Sequence, residues 1–405
     1  MTRSVAIMAL ALVSSMGIWG CQRSEDYWKG EPEHILSPDE WQAEISEKTD
    51  RLQAFLKEQD LRGVLLTRVR NVQWITAGLA NTENALGSEK GAGSLLIMDD
   101  GSKYLICDGS EASRLMDESL GALGYELAMY NWYDSPETVI RRWTADGRIG
   151  SDTDQAGTIF IGDKLKSLSY RLTEGEIKKY RWLGRQTTEA VEVVCRSLQP
   201  GMDEFQMEAI TAAELRSRGI KPTVLLMGVD ERIYKYRHCL PGGATLEKYG
   251  MVNVCAEKWG LIISLTRFVH FGSLPAELAR KLEGVARINA HFEHATVPGR
   301  SGREIFEAAK TWYAEVGFPD EWRMHHQGGA IGYDNREYII GPAIDVKVQE
   351  RQAFAWNPTI TGTKIENTII AYEDNIEVIT HIDSWPTIDI EIEGKVYPQP
   401  AILIR

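Results

Sequence analysis

The chain has 405 residues, 43% hydrophobic and 25% charged, which is ordinary globular composition with room for two full domain cores. Its 58 acidic residues outnumber 45 basic ones, giving a formal charge of −13. No basic stripe runs along the chain, and an acidic surface repels phosphates, so the composition argues against a nucleic-acid-binding protein.

Residues 1–20 read as a lipoprotein signal peptide. Arg3 supplies a positive start, and Val5 to Ile18 form an apolar run too short to span a bilayer comfortably. The run ends at Ile18-Trp19-Gly20-Cys21, which resembles a lipobox, so Cys21 is the expected lipidation site. Residues 21–37 are then a polar tether, and the remainder is a lipid-anchored domain at the cell envelope, in the outer membrane or periplasm if the host is Gram-negative. Cys107, Cys195, Cys239 and Cys255 show no CxxC spacing and are expected as buried free thiols.

From residue 38 strands and helices alternate. Ser37-Pro38-Asp39 opens an amphipathic helix over Trp41 to Asp60, and GVLLTRV, GSLLIMDD and SKYLICD read as buried strands, the last two joined through Asp99-Asp100-Gly101-Ser102. A helix over Glu111 to Leu123 and a strand over Glu126 to Tyr130 follow in an α/β unit spanning 38–165. Thr173 and Glu176 form a capping box for a long helix ending at Pro200-Gly201. Beyond it the pattern predicts a helix over Met202 to Arg218 and strands around Thr223, Met251 and Leu261. Helices over Pro275 to Ala295 and Gly302 to Val316 come next, then strands around His325 and from Gln352 to Ile379. The tail reads as a hairpin closed at Glu393-Gly394.

The blocks LTEGEIKKYR, LEKYGMVNVCAEKWGLIISLTRFVHFG, MHHQGGAIGYDNRE and AFAWNPTITGTKIENTII, in that order, resemble the creatinase, prolidase and aminopeptidase P family. The resemblance implies an α/β and α+β fold: a creatinase-like three-layer α/β N-terminal domain, then a pita-bread catalytic-type domain over 170–405, commonly in a homodimer. It also implies two divalent metals on two aspartates, one histidine and two glutamates. Here those positions hold Asn253, Ser264, Gly329, Asn357 and Glu366, so four of the five ligands are missing. Two dications and a bridging hydroxide need anionic ligands, and one carboxylate cannot supply them. No metal or other cofactor is therefore expected, although Cys255, His238, His326 and Glu366 offer donors for a substitute mononuclear site.

Three positions match or replace the family's substrate histidines: His238, His325, and Arg336 in Asn335-Arg336-Glu337, a step that creatinase, itself metal-free, shares. The expected catalytic set is His238, His325 and Glu366, with His238 moving protons to and from water and a leaving nitrogen. Arg336, Glu337, His326, Asn253, Ser264 and Asn357 are the expected substrate contacts, Arg336 offering its planar fork to a carboxylate. The sequence thus points to a metal-independent hydrolase of a C–N bond in a small carboxylate-bearing molecule. The alternatives are an inactive pseudo-peptidase that binds a peptide or small ligand at the envelope, and a metal-dependent Xaa-Pro aminopeptidase or dipeptidase.

Overall fold

The first helix, α1 (Pro38–Glu58), begins where the sequence places it because Ser37 and Glu40 satisfy each other's backbone N–H groups in a capping box. This is a computed structural model describing residues 35–145 and 147–405; the leader, Cys21 and nearly all of the tether lie outside the described residues. Strand β1 (Gly63–Arg68) leads into a short helix α2 (Val69–Ile75), then β2 (Lys90–Met98), β3 (Lys103–Asp108), α3 (Gly109–Leu115) and β4 (Glu126–Tyr130). α4 (Glu137–Thr144), β5 (Ile149–Ser151), β6 (Ile159–Phe160) and α5 (Gly162–Lys166) complete a six-stranded mixed sheet of order β4-β3-β2-β1-β5-β6. The helix expected over Glu111 to Leu123 is α3 followed by a π turn over Met116–Leu120.

The long helix α6 (Glu174–Ser197) carries the second capping box, with Thr173 Oγ1 accepting from Glu176 N at 3.1 Å. Truncating that hydroxyl in Thr173→Ala should cost about 1 kcal/mol. An unchanged urea midpoint would show that the cap contributes nothing.

After α7 (Glu204–Ser217) come β7 (Lys221–Val229), α8 (Glu231–Lys235), β8 (Tyr249–Lys258) and β9 (Leu261–His270). Helices α9 (Ala276–Ala295) and α10 (Gly302–Glu315) pack beside β10 (Gly328–Ala330), β11 (Tyr338–Ile339), β12 (Gln352–Trp356), β13 (Thr359–Ile360), β14 (Thr363–Lys364), β15 (Asn367–Ala371) and β16 (Ile376–Val378). The tail folds as β17 (Thr387–Ile392), β18 (Lys395–Pro400) and β19 (Leu403–Ile404). One sheet runs β19-β9-β8-β7 and another β11-β10-β12-β15-β16. The tail turns at Glu393 and Gly394, both at positive φ (51° and 79°), as a type I′ hairpin requires. The strand expected around His325 starts later, at Gly328, so both histidines lie in the preceding loop.

The described part is one compact unit, and buried charge ties its halves together. Lys48 of α1 and Lys179 of α6, both fully buried, share Glu44 at 2.6 and 2.7 Å, and Lys48 also pairs with Glu176 at 2.9 Å. Lys48 Nζ also donates to Tyr333 Oη, which donates to Glu176. From the other side Arg70 Nη2 of α2 donates to both Glu337 carboxylate oxygens at 2.8 Å, and its Nη1 lies 2.9 Å from Asp334. The loop 333–337 is thus clamped at both ends, and Arg336 sits inside it. All four cysteines expected as buried thiols are buried and free, and no helix of the described residues is long and apolar enough to cross a membrane.

Candidate functional site

The hairpin β8–β9 sets the floor of the site. Its register pairs Asn253 with Thr266 and Cys255 with Ser264. The alternation of strand side chains puts Asn253 and Cys255 on one face, with Ser264 and Thr266 opposite them. A bridge between Thr266 and Glu366 joins this sheet to the one containing β12 and β15. Five of the expected residues meet at that seam: Asn253, Ser264, Asn357, Glu366 and Arg336.

Glu366, 2% exposed, is the hub. Its Oε1 accepts from Arg336 Nη2 at 2.9 Å, and its Oε2 accepts from Thr266 Oγ1 at 2.8 Å and Asn253 Nδ2 at 2.6 Å. Lys364 Nζ lies 3.0 Å from the same Oε2. Burial alone would raise this carboxyl's pKa, but Lys364 and Arg336 outweigh it and hold the group down at about 2. Arg336 also donates to Ser264 Oγ at 3.1 Å. Two basic side chains therefore flank this buried carboxylate.

The side chains at the positions expected for the dinuclear metal pair are engaged with one another instead. Asn253 turns its amide nitrogen, not its carbonyl, to Glu366. Ser264 is taken up by Arg336 and by Cys255 Sγ at 2.9 Å. Gly329, paired between β11 and β12, has no room for any side chain: a Cβ there would sit 2.1 Å from the Tyr338 carbonyl oxygen. Glu366, ionised but paired with Arg336 and Lys364, is the one carboxylate of the five, whereas two dications call for several anionic donors.

The histidines form a second group. Arg237 anchors the loop bearing His238 through Thr359, Thr361 and Glu321. Gln327 Nε2 holds the His325 carbonyl at 2.6 Å while its Oε1 accepts from Tyr313. His325 Nε2 and His238 Nε2 are 3.0 Å apart, and the His325 and His326 rings stack with centroids at 4.3 Å. Among the described residues, these three are the one cluster of three or more His, Cys, Asp or Glu side chains able to share a metal ion. The mixed set of Cys255, His238, His326 and Glu366 does not come together in that way, because Cys255 faces Ser264 and Glu366 is occupied by its cations.

Burial first, then Lys364, keeps imidazole protonation unfavourable. His325 falls to about 2, while burial and then Arg336 take His326 to about 4. His238, the most exposed of the three, is also lowered, by burial and then Lys364. All three rings are neutral at physiological pH. Three buried polar atoms here lack a protein partner: Arg336 Nε, Asn357 Oδ1 and His325 Nδ1.

Glu337, expected at the substrate beside Arg336, instead faces away. Its carboxylate is bound by Arg70 and by Tyr333 N, so it acts as a joint between the two halves. Arg336 is not a free carboxylate fork either, since Glu366 and Ser264 hold its two terminal nitrogens. Lys364 and Thr266 complete the hub and were not anticipated. The signal for Lys364 lay in Lys364-Ile365-Glu366, whose alternation puts both charges on one face of an extended segment. Beside the loop 333–337, a cleft of about 530 Å³ opens, lined by Arg68, Arg70, Lys221, Glu257 and Asn335 among others.

Comparison with known proteins places this geometry. The family model described as metallopeptidase family M24 matches residues 178–380, and that of the creatinase/prolidase N-terminal domain matches 48–177. An uncharacterized peptidase of Staphylococcus aureus strain MW2 is 21% identical over 357 residues, covering 81% of this chain and 97% of that protein. The Xaa-Pro dipeptidase from Bacillus anthracis superposes with a TM-score of 0.70 at 19% identity, covering 89% of this chain and all of that one. The N-terminal domain of the FACT complex subunit SPT16 from chickpea does so with 0.64 at 13%, over 84% of this chain and 97% of that one.

Proposed function

The chain belongs to metallopeptidase family M24, and from that premise we propose that it hydrolyses a C–N bond in a small carboxylate-bearing molecule without the family's metal pair, with His238 as general acid and base. The observation that carries this reading is the pair of basic side chains, Arg336 and Lys364, held against the Glu366 carboxylate. Together the three groups leave one net positive charge, which favours an anionic ligand end. Arg336 Nε and Asn357 Oδ1 are the donor and acceptor left for the rest of the molecule.

His238 fits proton transfer because it is neutral, accessible and oriented by His325. In the tautomer that donates Nε2–H to His325, its Nδ1 lone pair is basic. Water adds to the substrate carbonyl carbon as its proton passes to Nδ1. The tetrahedral intermediate then expels the nitrogen, which takes that proton back. The structural neighbours named as prolidases and Xaa-Pro dipeptidases make dipeptides with a C-terminal proline the first substrates to screen. Lipidation at Cys21 would hold the enzyme at the cell envelope, and a homodimer is the proposed assembly.

His238→Ala should abolish turnover, while prior incubation with EDTA or 1,10-phenanthroline leaves the native rate unchanged. The lowered pKa fixes the sign of the pH dependence: the base stays deprotonated to lower pH, so the acid limb of kcat/KM should have its midpoint below 6.5. Chelator-sensitive turnover would sink this reading. A second reading, a pseudo-peptidase that only binds, is favoured by one observation: Arg336 is already committed to Glu366 and Ser264. It is sustained if ligand binding is measurable and no rate depends on His238.

A further inference from the structure

We infer that His238, His325 and His326 form a site for one divalent transition-metal ion of the zinc, copper or nickel class, separate from the position of the family's metal pair, and that occupancy inhibits the enzyme. Each ring offers one nitrogen, and those three atoms lie within 4.8 Å of one another. Tetrahedral zinc holds imidazole nitrogens at about 2.0–2.1 Å, which puts ligand nitrogens about 3.3 Å apart. His238 Nε2 and His325 Nε2 already stand 3.0 Å apart. An ion therefore displaces the hydrogen bond between them with a movement of a few tenths of an ångström; the donor ring's Nε2 proton passes to its own Nδ1, so each ring binds in its neutral form.

His326 completes the set from the stacked ring beside His325. Its Nδ1 accepts a hydrogen bond from Gly328 N at 3.2 Å, so coordination through that atom costs one long backbone contact. Three neutral imidazoles with no carboxylate among them select borderline metals over magnesium or calcium, which prefer oxygen. His238 is exposed, so a fourth position open to water is on the accessible side. Lys364 and Arg336 act electrostatically on these rings and oppose a dication, which makes the site weaker than a structural zinc site.

The metal-binding claim stands on geometry alone; the inhibition rests on the proposal that His238 is the base, since a ring coordinated through Nε2 carries its proton on Nδ1, which then has no lone pair to accept one. The test uses the purified full chain with zinc or cobalt(II) ions alone, following heat of binding for zinc and visible absorption for cobalt. The expected result is one equivalent, with affinity weakened at least about tenfold in His238→Ala, His325→Ala and His326→Ala. Lys364→Met should tighten binding, and His381→Ala, on an exposed histidine beside Asp383, should leave it unchanged. His238 is exposed, so its variant is expected to fold, and circular dichroism checks this. No stoichiometric metal, or metal retained in all three histidine variants, overturns the site while leaving chelator-insensitive turnover intact. Turnover that requires zinc overturns inhibition and removes the metal-independent reading, and the three histidine variants then decide whether that zinc sits here.

Discussion

Replacing Glu366 with alanine should lower the unfolding free energy by about 3–5 kcal/mol, the usual cost of removing one partner from a buried ion pair. Lys364, 5% exposed, would lose the carboxylate 3.0 Å from its ammonium, and Arg336 would keep only Ser264 and a backbone carbonyl. The titration behaviour supports the same magnitude. A carboxyl held at about 2 against an ordinary 4.5 contributes about 3 kcal/mol when fully ionised. The sign follows from the depressed value: the contribution is complete above pH 4.5 and is lost as pH falls through the folded value near 2. Glu366→Gln keeps the shape without the charge, so its stability should lack this dependence, and the gap from the native protein should narrow as pH falls from 5 to 3. Urea midpoints at pH 7, 5, 4 and 3 measure it. A gap that is absent at pH 7, or constant across that range, would show that the hub contributes nothing through charge.

Local chemistry was legible wherever it was written in adjacent residues. The helix start at Ser37-Pro38-Asp39, the capping box at Thr173 and the Glu393-Gly394 turn all concern neighbours along the chain or across one hairpin. The family's fold was legible too, because its blocks keep their order. Partner choice was not. Arg70 and Glu337 are 267 positions apart, and nothing near either one specifies that pairing. Glu337 looked like a site residue because Arg336 precedes it, yet consecutive residues point in different directions, and Arg336 faces Glu366 while Glu337 faces Arg70.

The loss of metal ligands could be read from the sequence as missing charge, but not what replaced it. Asn253, expected as a substrate contact, instead presents its amide N–H to Glu366, the favourable orientation beside an ionised carboxylate. The grouping of His238 with His325 and His326 depends on two loops that only the tertiary fold brings together, 87 residues apart at the hydrogen bond.

Gly329→His, which restores the residue type of the family's metal ligand, should therefore fail to restore the site and should destabilise the protein by about 3 kcal/mol or more. The obstacle is backbone, not side chain. A Cβ at residue 329 would lie 2.1 Å from the Tyr338 carbonyl oxygen and 3.0 Å from the Ile339 Cα, and neither can rotate away as a flexible side chain could. Relief requires β10 and β11 to separate, breaking the pairing of Gly329 with Ile339 and of Ala330 with Tyr338. That pairing leads back through loop 333–337 to Arg336, so the strain would also loosen the guanidinium held by Glu366. Because the first carbon already clashes, Gly329→Ala should lose nearly as much as Gly329→His, which separates backbone crowding from histidine chemistry. Urea midpoints of both variants, with and without manganese ions, decide it. If Gly329→His unfolds at the native midpoint and gains bound manganese, then the strand can yield, and backbone crowding is not what keeps a ligand from this position.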